Sequence, residues 1–248
     1  MKRARVLYAG TLHSGSEHAQ GVQLDDGRVL AETQVQWLPP VELGTVFAVG
    51  LNYADHAKEL ASTRPQEPLL FLKGPNTMAG HRASTARPAG VEFMHYECEL
   101  AVLIGQPGRN IPRSAALGYV GGYAVANDYA IRDYLENYYR PNLRVKNRDG
   151  CTLLGPWFVD AADVPDPQNL ALRTQVNGTV TQQGNTRDMI FGVADLIEYL
   201  SSFLTLAPGD VILTGTPQGV VNVRVGDEVV TEIDGIGRLV NMIVAGAA

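Results

Sequence analysis

The chain has 248 residues, and its 20 lysines and arginines against 26 aspartates and glutamates give a formal net charge of −6. Its content of 45% hydrophobic and 19% charged residues is typical of a globular protein, which excludes a disordered chain or a coiled coil. The acidic balance, with no run of lysine or arginine, disfavours nucleic acid as a partner.

Neither a membrane span nor a secretory signal is predicted. No apolar run approaches the ~20 residues that cross a bilayer, and the apolar stretch near the start is too short for a signal peptide. The two cysteines, Cys98 and Cys151, cannot form a disulfide framework, which agrees with a reducing compartment. We therefore expect a cytoplasmic protein with no membrane partner.

Residues 1–40 are predicted to form short strands. Two apolar segments, 22–24 and 29–31, flank Asp25-Asp26-Gly27-Arg28, whose Asp-Gly pair is typical of a hairpin loop. Pro39-Pro40 then interrupts the pattern. We expect a small N-terminal β appendage over residues 1–40 and the main domain over residues 41–248.

The next segment predicts a strand that leads into a short helix. An apolar run over residues 45–49 ends at Gly50 and is followed by helix-forming residues up to Leu60. On that helix His56 and Glu59 are three residues apart and can be neighbours. A histidine held by a carboxylate is a candidate general base, although a surface histidine with an incidental partner is the commoner interpretation of this spacing.

The strongest β pattern in the chain runs over residues 96–104, after a Pro- and Gly-rich region predicted to be mostly loop. Alternation puts Glu97 and Glu99 on the same face, roughly 7 Å apart. Their charges would repel by about 2.4 kcal/mol at an effective dielectric of about 20. A solvated face is the usual interpretation, but the apolar residues 101–104 favour a buried pair and a divalent cation. Hard oxygen ligands suit Mg²⁺, Mn²⁺ or Ca²⁺ better than zinc.

A third carboxylate, Asp128, follows an extended apolar segment over residues 118–125. It begins a stretch of helical spacing that reaches Tyr139 and stops before Pro141. Asp128 is equally well interpreted as the N-cap of that helix or as a metal ligand. Arg132, one helical turn later, would lie on the same helix face as Asp128 and point toward whatever it binds.

The remaining sequence predicts several strands and one clear helix over residues 192–203, with Asp195 near its start and Pro208-Gly209 after its end. Asn177-Gly178 and Asp234-Gly235 are turn signals. The predicted strands are 171–177, 179–183, 211–214, 221–225, 228–233 and 238–244. The predicted class is therefore α+β and β-rich, without the regular βαβ alternation of a doubly wound sheet.

Other candidate residues are ambiguous by themselves. Lys73 and Lys146 are typical of surface lysines, and residues 213–219 form either a simple loop or a cradle of N–H groups for a carboxylate. The sequence contains no G-x-G-x-x-G after a strand, no P-loop, no G-x-S-x-G and no H-E-x-x-H. Nucleotide and dinucleotide enzymes, α/β-hydrolases and zincins therefore lose support.

Several short stretches jointly resemble the fumarylacetoacetate hydrolase family, in the family's order over about residues 45–245. They are Val49-Gly50-Leu51-Asn52-Tyr53 with His56 and Glu59, Phe71-Leu72-Lys73-Gly74-Pro75, Tyr96-Glu97-Cys98-Glu99-Leu100-Ala101, Gly121-Gly122-Tyr123 with Asn127-Asp128, Val176-Asn177-Gly178 with Gln182, and Leu213-Thr214-Gly215-Thr216-Pro217. The resemblance implies the family's mixed β-sandwich roll with a few short helices.

The resemblance also implies roles for individual residues. The metal, with Mg²⁺ favoured over Mn²⁺ or Ca²⁺, would be held by Glu97, Glu99 and Asp128. The implied catalytic residues are His56 and Glu59, on a lid helix, and Lys146. The implied substrate-binding residues are Arg132, Thr216, Gln182 and Lys73. Because family members are commonly homodimers, a homodimer or an assembly with a sister subunit is implied.

Within the family, residues 127–149 are most similar to the C-terminal half of two-repeat members, whereas this chain has one repeat. This similarity implies metal-dependent decarboxylation or isomerisation of a small multi-carboxylate 2-oxo acid, through a dienolate, in aromatic catabolism. Hydrolysis of an acylpyruvate C–C bond and decarboxylation of oxaloacetate are alternatives on the same scaffold. A metal-stabilised, non-catalytic binding subunit is an alternative of another class.

Overall fold

The computed structural model describes residues 1–59, 65–135 and 142–246, with the side chains of residues 57–59 outside that description. Strands dominate it, which confirms the predicted β-rich α+β class. The strands are β1 (Lys2–Tyr8), β2 (Thr11–His18), β3 (Gly21–Leu24), β4 (Val29–Leu30), β5 (Gln36–Leu38), β6 (Val46–Gly50), β7 (Leu69–Lys73), β8 (Met78–Ala79), β9 (Ser84–Arg87), β10 (Met94–His95), β11 (Cys98–Ile104), β12 (Val120–Asp128), β13 (Ala130–Ile131), β14 (Thr152–Asp160), β15 (Ala171–Val176), β16 (Thr179–Asn185), β17 (Val211–Leu213), β18 (Glu228–Ile233) and β19 (Gly237–Ala245).

Helices are few and short. The α-helices in the described ranges are α1 (Ala54–Glu59), α2 (Leu143–Lys146) and α3 (Val193–Phe203). Short 3-10 helices lie at Glu32–Gln34, Pro75–Thr77, Arg113–Tyr119, Arg132–Tyr134, Ala161–Asp163 and Thr186–Asp188. None of the helices described is long and apolar enough to cross a bilayer.

The described strands assemble into three sheets. Twelve belong to one large sheet, in the order β4-β3-β2-β1-β14-β12-β11-β17-β6-β7, with β5 paired to β1 and β8 to β14. Five more form the sheet β16-β15-β18-β19-β9, and β10 pairs with β13. Most pairs are antiparallel, but β17–β6, β14–β8 and β19–β9 are parallel, so both larger sheets are mixed.

The large sheet is covered on both faces, which explains the alternation seen in β11. Leu100 and Val102 point into the larger core, which also contains side chains of the five-stranded sheet and of α3. Ala101 and Leu103 point into a smaller core on the opposite face. All four side chains are almost fully buried, so the register of β11 is fixed from both sides.

The N-terminal strands continue the large sheet through the pairing of β1 with β14. The hairpin predicted around residues 25–28 is confirmed, since it joins β3 to β4. Val6 and Trp37 belong to the larger core, and the Trp37 ring lies edge-on to Trp157 with ring centroids 5.2 Å apart. The predicted division of the chain at residue 40 stays a prediction.

The helix predicted from Asp128 onward is wrong where the structure describes it. Asp128 is the last residue of β12, and Ala130–Ile131 form β13, which pairs with β10. Only Arg132–Tyr134 form a single 3-10 turn, and the rest of the predicted helix lies beyond residue 135, outside the described residues. Pairing between strands therefore overrides the local helical spacing, and Asp128 is not an N-cap.

The C-terminal elements agree with the prediction except at residues 221–225. That segment forms a single bridge, from Asn222 to His95, instead of a strand. The predicted helix is confirmed as α3, and the carboxylate of Asp195 accepts a hydrogen bond from the N–H of Gly192 at 2.9 Å.

A close approach of two glycines gives a test of the β11–β12 packing. A Cβ added to Gly105 would lie 2.6 Å from the Cα of Gly121, and backbone atoms cannot yield as a flexible side chain does. We predict that Gly105→Ala lowers the free energy of unfolding by about 1–3 kcal/mol in urea denaturation. Gly118→Ala is the control: a Cβ there meets nothing within 4 Å, so a change within about 0.5 kcal/mol is expected. Equal stability of the two variants would contradict the close approach.

Candidate active site

Three buried carboxylates meet where two neighbouring strands run side by side. Glu97 directly precedes β11, Glu99 lies in β11, and Asp128 ends β12. The two strands pair at Cys98 and Asn127, which brings the three acidic residues to one place. One ligand oxygen from each carboxylate lies within 4.8 Å of the other two. The structure thus brings together the three residues predicted to bind metal.

Two lysines approach this carboxylate cluster, and both are buried although their local sequence is typical of surface lysines. The ammonium of Lys146, at the end of α2, contacts Glu97 and donates to Oδ2 of Asp128 at 2.8 Å. The ammonium of Lys73, at the end of β7, lies 2.7 Å from Oδ1 of Asp128, and its side chain has no exposed surface. Lys73 also donates to the carbonyl of Lys146, and Thr152 donates to Oδ1 of Asp128 at 3.1 Å.

Burial and mutual charge set the ionisation of these groups. Burial raises the pKa of Glu97, but nearby basic groups, Lys146 foremost, outweigh it and lower this pKa to about 2. Burial, together with the carboxylates of Asp128 and Glu97, raises the pKa of Glu99 well above its usual range. For Lys146, burial lowers the pKa, but the surrounding carboxylates outweigh burial and raise it.

A divalent cation fits this donor set. Glu99 accepts a hydrogen bond from the N–H of Gly215 at 2.7 Å, and none of the described lysines or arginines forms an ion pair with it. Two negative charges at the cluster's spacing repel by about 3–4 kcal/mol at an effective dielectric of about 20, so an added positive charge is favoured there. A ligand set made only of carboxylate oxygens suits Mg²⁺, Mn²⁺ or Ca²⁺. Cys98 instead packs into the larger core.

His95, to which the sequence analysis assigned no role, also belongs to the site. Its Nδ1 lies 3.0 Å from the carbonyl oxygen of Tyr96, and Nε of Arg132 donates to its Nε2 at 2.7 Å. Nη2 of Arg132 lies 3.6 Å from Oε1 of Glu97. Burial lowers the pKa of His95 to about 3, so its ring is neutral. The sequence feature that indicates His95 is its position two residues before Glu97, which puts the two side chains on the same face of an extended strand.

The loop that carries Gly215 and Thr216 lies next to Glu99. The hydroxyl of Thr216 accepts a hydrogen bond from Nε2 of Gln182 at 2.9 Å, and Gln182 also donates to the carbonyl of Pro217 at 2.8 Å. Oε1 of Gln182 accepts from the hydroxyl of Thr174 at 2.8 Å. Gln182 therefore supports Thr216 through hydrogen bonds that use both ends of its amide.

Asn52 holds the same loop from the other side, and sequence reasoning assigned it no role of its own. Its Nδ2 donates to the carbonyl of Thr214 at 2.8 Å and to that of Phe191 at 3.0 Å. Its Oδ1 accepts from the N–H of Phe191 at 2.8 Å. Gly215 has φ +86°, and an added Cβ would lie 2.9 Å from the Cβ of Asn52, so glycine fits both the backbone and the space.

His56 lies on α1, is 3% exposed, and is near enough to Glu97 to lower the pKa of that carboxyl through its charge. Glu59 ends α1, but its side chain lies outside the described residues. The pairing of His56 with Glu59 therefore stays a prediction.

Sequence comparisons agree with the resemblance in the motifs. Residues 45–244 match the model of the fumarylacetoacetate (FAA) hydrolase C-terminal family. The chain is 57% identical over 231 residues to a 4-hydroxyphenylacetate degradation bifunctional isomerase/decarboxylase of Salmonella dublin. This match covers 91% of the chain and 54% of the relative, so the chain spans about half the length of that protein.

Solved structures share the fold. A 5-carboxymethyl-2-hydroxymuconate delta-isomerase from Mycobacterium smegmatis is 34% identical, with a TM-score of 0.87 and 100% of both chains covered. A fumarylpyruvate hydrolase from Pseudomonas aeruginosa, in complex with Mn²⁺ and pyruvate, is 34% identical with a TM-score of 0.78, over 85% of this chain and 92% of that one. These likenesses confirm the predicted mixed β-sandwich roll.

The raised pKa of Glu99 predicts a pH effect on the metal-free protein. The pKa of Glu99 in the folded protein exceeds its usual value of 4.5, so protonated Glu99 adds to the free energy of unfolding. This contribution is fully present below pH 4.5 and is lost as pH rises through the pKa of the folded protein. In EDTA, the free energy of unfolding of the wild type should fall between about pH 5 and 8, and that of Glu99→Gln should fall less. The two falls should differ by about 1.4 kcal/mol for each unit by which the pKa of Glu99 is higher in the folded than in the unfolded protein.

The measurement is urea denaturation across that pH range. Glu228→Gln, which alters an exposed glutamate at the start of β18, is the control and should follow wild type. Identical pH dependence of wild type and Glu99→Gln would contradict the like-charge crowding at Glu99.

Proposed function

The chain belongs to the fumarylacetoacetate hydrolase family, and from this we propose that it is a divalent-metal-dependent enzyme acting on a small 2-oxo acid with several carboxylates. The observation that carries the proposal is the buried cluster of Glu97, Glu99 and Asp128, with one oxygen of each within 4.8 Å of the others. The Mn²⁺ and pyruvate in the related fumarylpyruvate hydrolase support both the ion and the ligand class.

The proposed reactions are decarboxylation of 5-oxopent-3-ene-1,2,5-tricarboxylate, isomerisation of 2-hydroxyhepta-2,4-diene-1,7-dioate, or both, in aromatic catabolism. The name of the Salmonella relative, a bifunctional isomerase/decarboxylase of 4-hydroxyphenylacetate degradation, supports them. In the first reaction, loss of CO₂ leaves an electron pair that moves through the double bond onto the 2-oxo oxygen. Protonation of that oxygen completes the first reaction. In the second, the 2-hydroxyl loses its proton to give the same type of dienolate, which then takes up a proton at C5 to form the 2-oxo-3-ene isomer. One site can therefore serve both.

Four residues are proposed to bind the substrate or to hold the groups around it in place. A divalent cation held by the three carboxylates would supply Lewis-acid stabilisation of negative charge on the 2-oxo oxygen. Arg132, whose side chain is 24% exposed beside Glu97, is proposed to bind a distal carboxylate. The hydroxyl of Thr216 is proposed to donate a hydrogen bond to a carboxylate of the substrate. Lys73 and Gln182 are proposed to act mainly by holding Asp128 and Thr216, which they contact.

Proton transfer is proposed to depend on α1 and α2. His56, oriented by Glu59, is the proposed general acid/base that moves a proton to or from a substrate carbon. Lys146 is proposed to hold Glu97 and Asp128 through the contacts of its ammonium, which also lowers the pKa of Glu97, and to place that ammonium next to the reacting carboxylate. Localised positive charge of this kind suits an anionic substrate although the whole chain carries a net charge of −6.

We also propose a cytoplasmic location and a homodimer, or an assembly with a sister subunit. The two free, buried cysteines support the location, and the family resemblance supports the assembly. Magnesium is the proposed physiological ion, with Mn²⁺ or Ca²⁺ as alternatives.

Incubating the purified chain with the tricarboxylate tests the function. We expect CO₂ release and a change in dienoate absorbance with Mg²⁺ or Mn²⁺, and loss of both signals after EDTA treatment. Release of two acid fragments from an acylpyruvate, or turnover of oxaloacetate with none of the tricarboxylate, would favour the alternative reactions. Absence of turnover with every substrate and metal would contradict an enzyme and favour a binding subunit.

Substitutions separate the metal ligands from the proton-transfer pair. We expect Glu97→Gln, Glu99→Gln and Asp128→Asn each to abolish turnover, because the metal stabilises the developing charge by several kcal/mol. His56→Ala should retain a measurable rate, reduced by about 10²–10⁴-fold. Steady-state kinetics with Glu228→Gln as an exposed control provide the comparison. Full activity of Glu99→Gln would contradict its role as a ligand.

A further inference from the structure

A buried histidine with no role in the proposed chemistry holds Arg132. Nε of Arg132 donates to Nε2 of His95 at 2.7 Å, and Nδ1 of His95 lies 3.0 Å from the carbonyl oxygen of Tyr96. The Nε of arginine carries a hydrogen and can only donate, so Nε2 of His95 must accept. The carbonyl of Tyr96 can only accept, so Nδ1 of His95 carries the proton. The two contacts therefore define one neutral tautomer.

The backbone around His95 is held from two sides, so this acceptor has a fixed position. β10 pairs with β13, with His95 opposite Ala130, and His95 also bridges to Asn222. Oδ1 of Asn222 accepts from the N–H of Met94 at 3.1 Å and from the guanidinium of Arg87 at 3.0 Å. His95 itself is 0% exposed.

The hydrogen bond at Nε restricts the orientation of the Arg132 guanidinium, because that group is planar and rigid. Nη2 then lies 3.6 Å from Oε1 of Glu97, beside the carboxylate cluster, and the side chain keeps 24% of its surface exposed. The terminal N–H groups thus have one direction relative to the site. A planar fork held in this way suits a second carboxylate on the ligand.

We propose that His95 is a positioning residue that determines specificity: by orienting Arg132, it favours 2-oxo acids with a second, distal carboxylate over those with only one. This rests on the proposed function in that Arg132 is taken to meet the distal carboxylate. His95 acts through Arg132 and does not touch the ligand.

Ligand binding, instead of turnover, tests the inference. Calorimetry of the Mn²⁺-loaded protein compares pyruvate with 2-oxoglutarate and 2-oxoadipate, and wild type should bind at least one of the dicarboxylates more tightly. His95→Asn keeps a donor for the Tyr96 carbonyl but its amide does not reach the position of Nε2. We expect it to reduce the preference about tenfold, the weight of a charge-assisted hydrogen bond, with pyruvate affinity within about twofold.

Two further variants separate positioning from structural damage. His95→Gln places an amide oxygen near the position of Nε2 and should restore most of the preference. In an Arg132→Lys background, which lacks the Nε donor, adding His95→Asn should change the preference no further. Mn²⁺ affinity, followed by electron paramagnetic resonance, should be the same in all the variants.

Three results would overturn the inference. In the first, the wild type would bind no dicarboxylate more tightly than pyruvate, and in the second, His95→Asn would weaken pyruvate and dicarboxylate binding equally. In the third, His95→Asn would reduce the preference further in the Arg132→Lys background. If His95→Asn does not fold, the comparison of His95→Gln with Arg132→Lys decides, since only the lysine variant should lose the preference. A protein that shows this behaviour but does not turn over the tricarboxylate would refute the proposed reactions and leave the role of His95 standing.

Discussion

Burial of three carboxylates within 4.8 Å of one another is the constraint on which the candidate site depends. Ionised groups this close and this dry repel unless positive charge or hydrogen-bond donors surround them. Lys146 and Lys73 neutralise the Glu97 and Asp128 side of the cluster, and the N–H of Gly215 faces Glu99. Among the described residues, Glu99 has the fewest positive partners of the three, and a divalent ion is the proposed counter-charge for its ionised form.

The large sheet determines the relative positions of the three carboxylates. Glu99 and Asp128 lie on adjacent strands, β11 and β12, whose register is locked because both faces of β11 are buried in separate cores. A slip of one residue would turn Glu99 into an apolar core and Leu100 into the site. The packing that stabilises the fold therefore also places the carboxylates.

The sequence predicted local features of the site well and long-range ones poorly. Alternation in β11 was enough to place Glu97 and Glu99 on one face. Asp128 lies in the same cluster, but the sequence places it at the start of a helix, because the pairing of β13 with β10 cannot be seen in the spacing of residues 128–139. The roles of His95 and Asn52 depend on partners 37 and 139 residues away, at Arg132 and Phe191, which no local pattern reveals.

The pairing of β1 with β14 has a consequence for how the chain is made. β1 ends at Tyr8 and its partner strand begins at Thr152, so the ribosome must synthesise residues 9–151 before the two can meet. Until then the backbone of β1 at Lys2 and Arg3 lacks its β14 partner, because β5 pairs with that strand only over Arg5–Leu7, and an unpaired edge is a template for the wrong partner. Delayed closure of this kind makes synthesis a stage at which aggregation competes with folding.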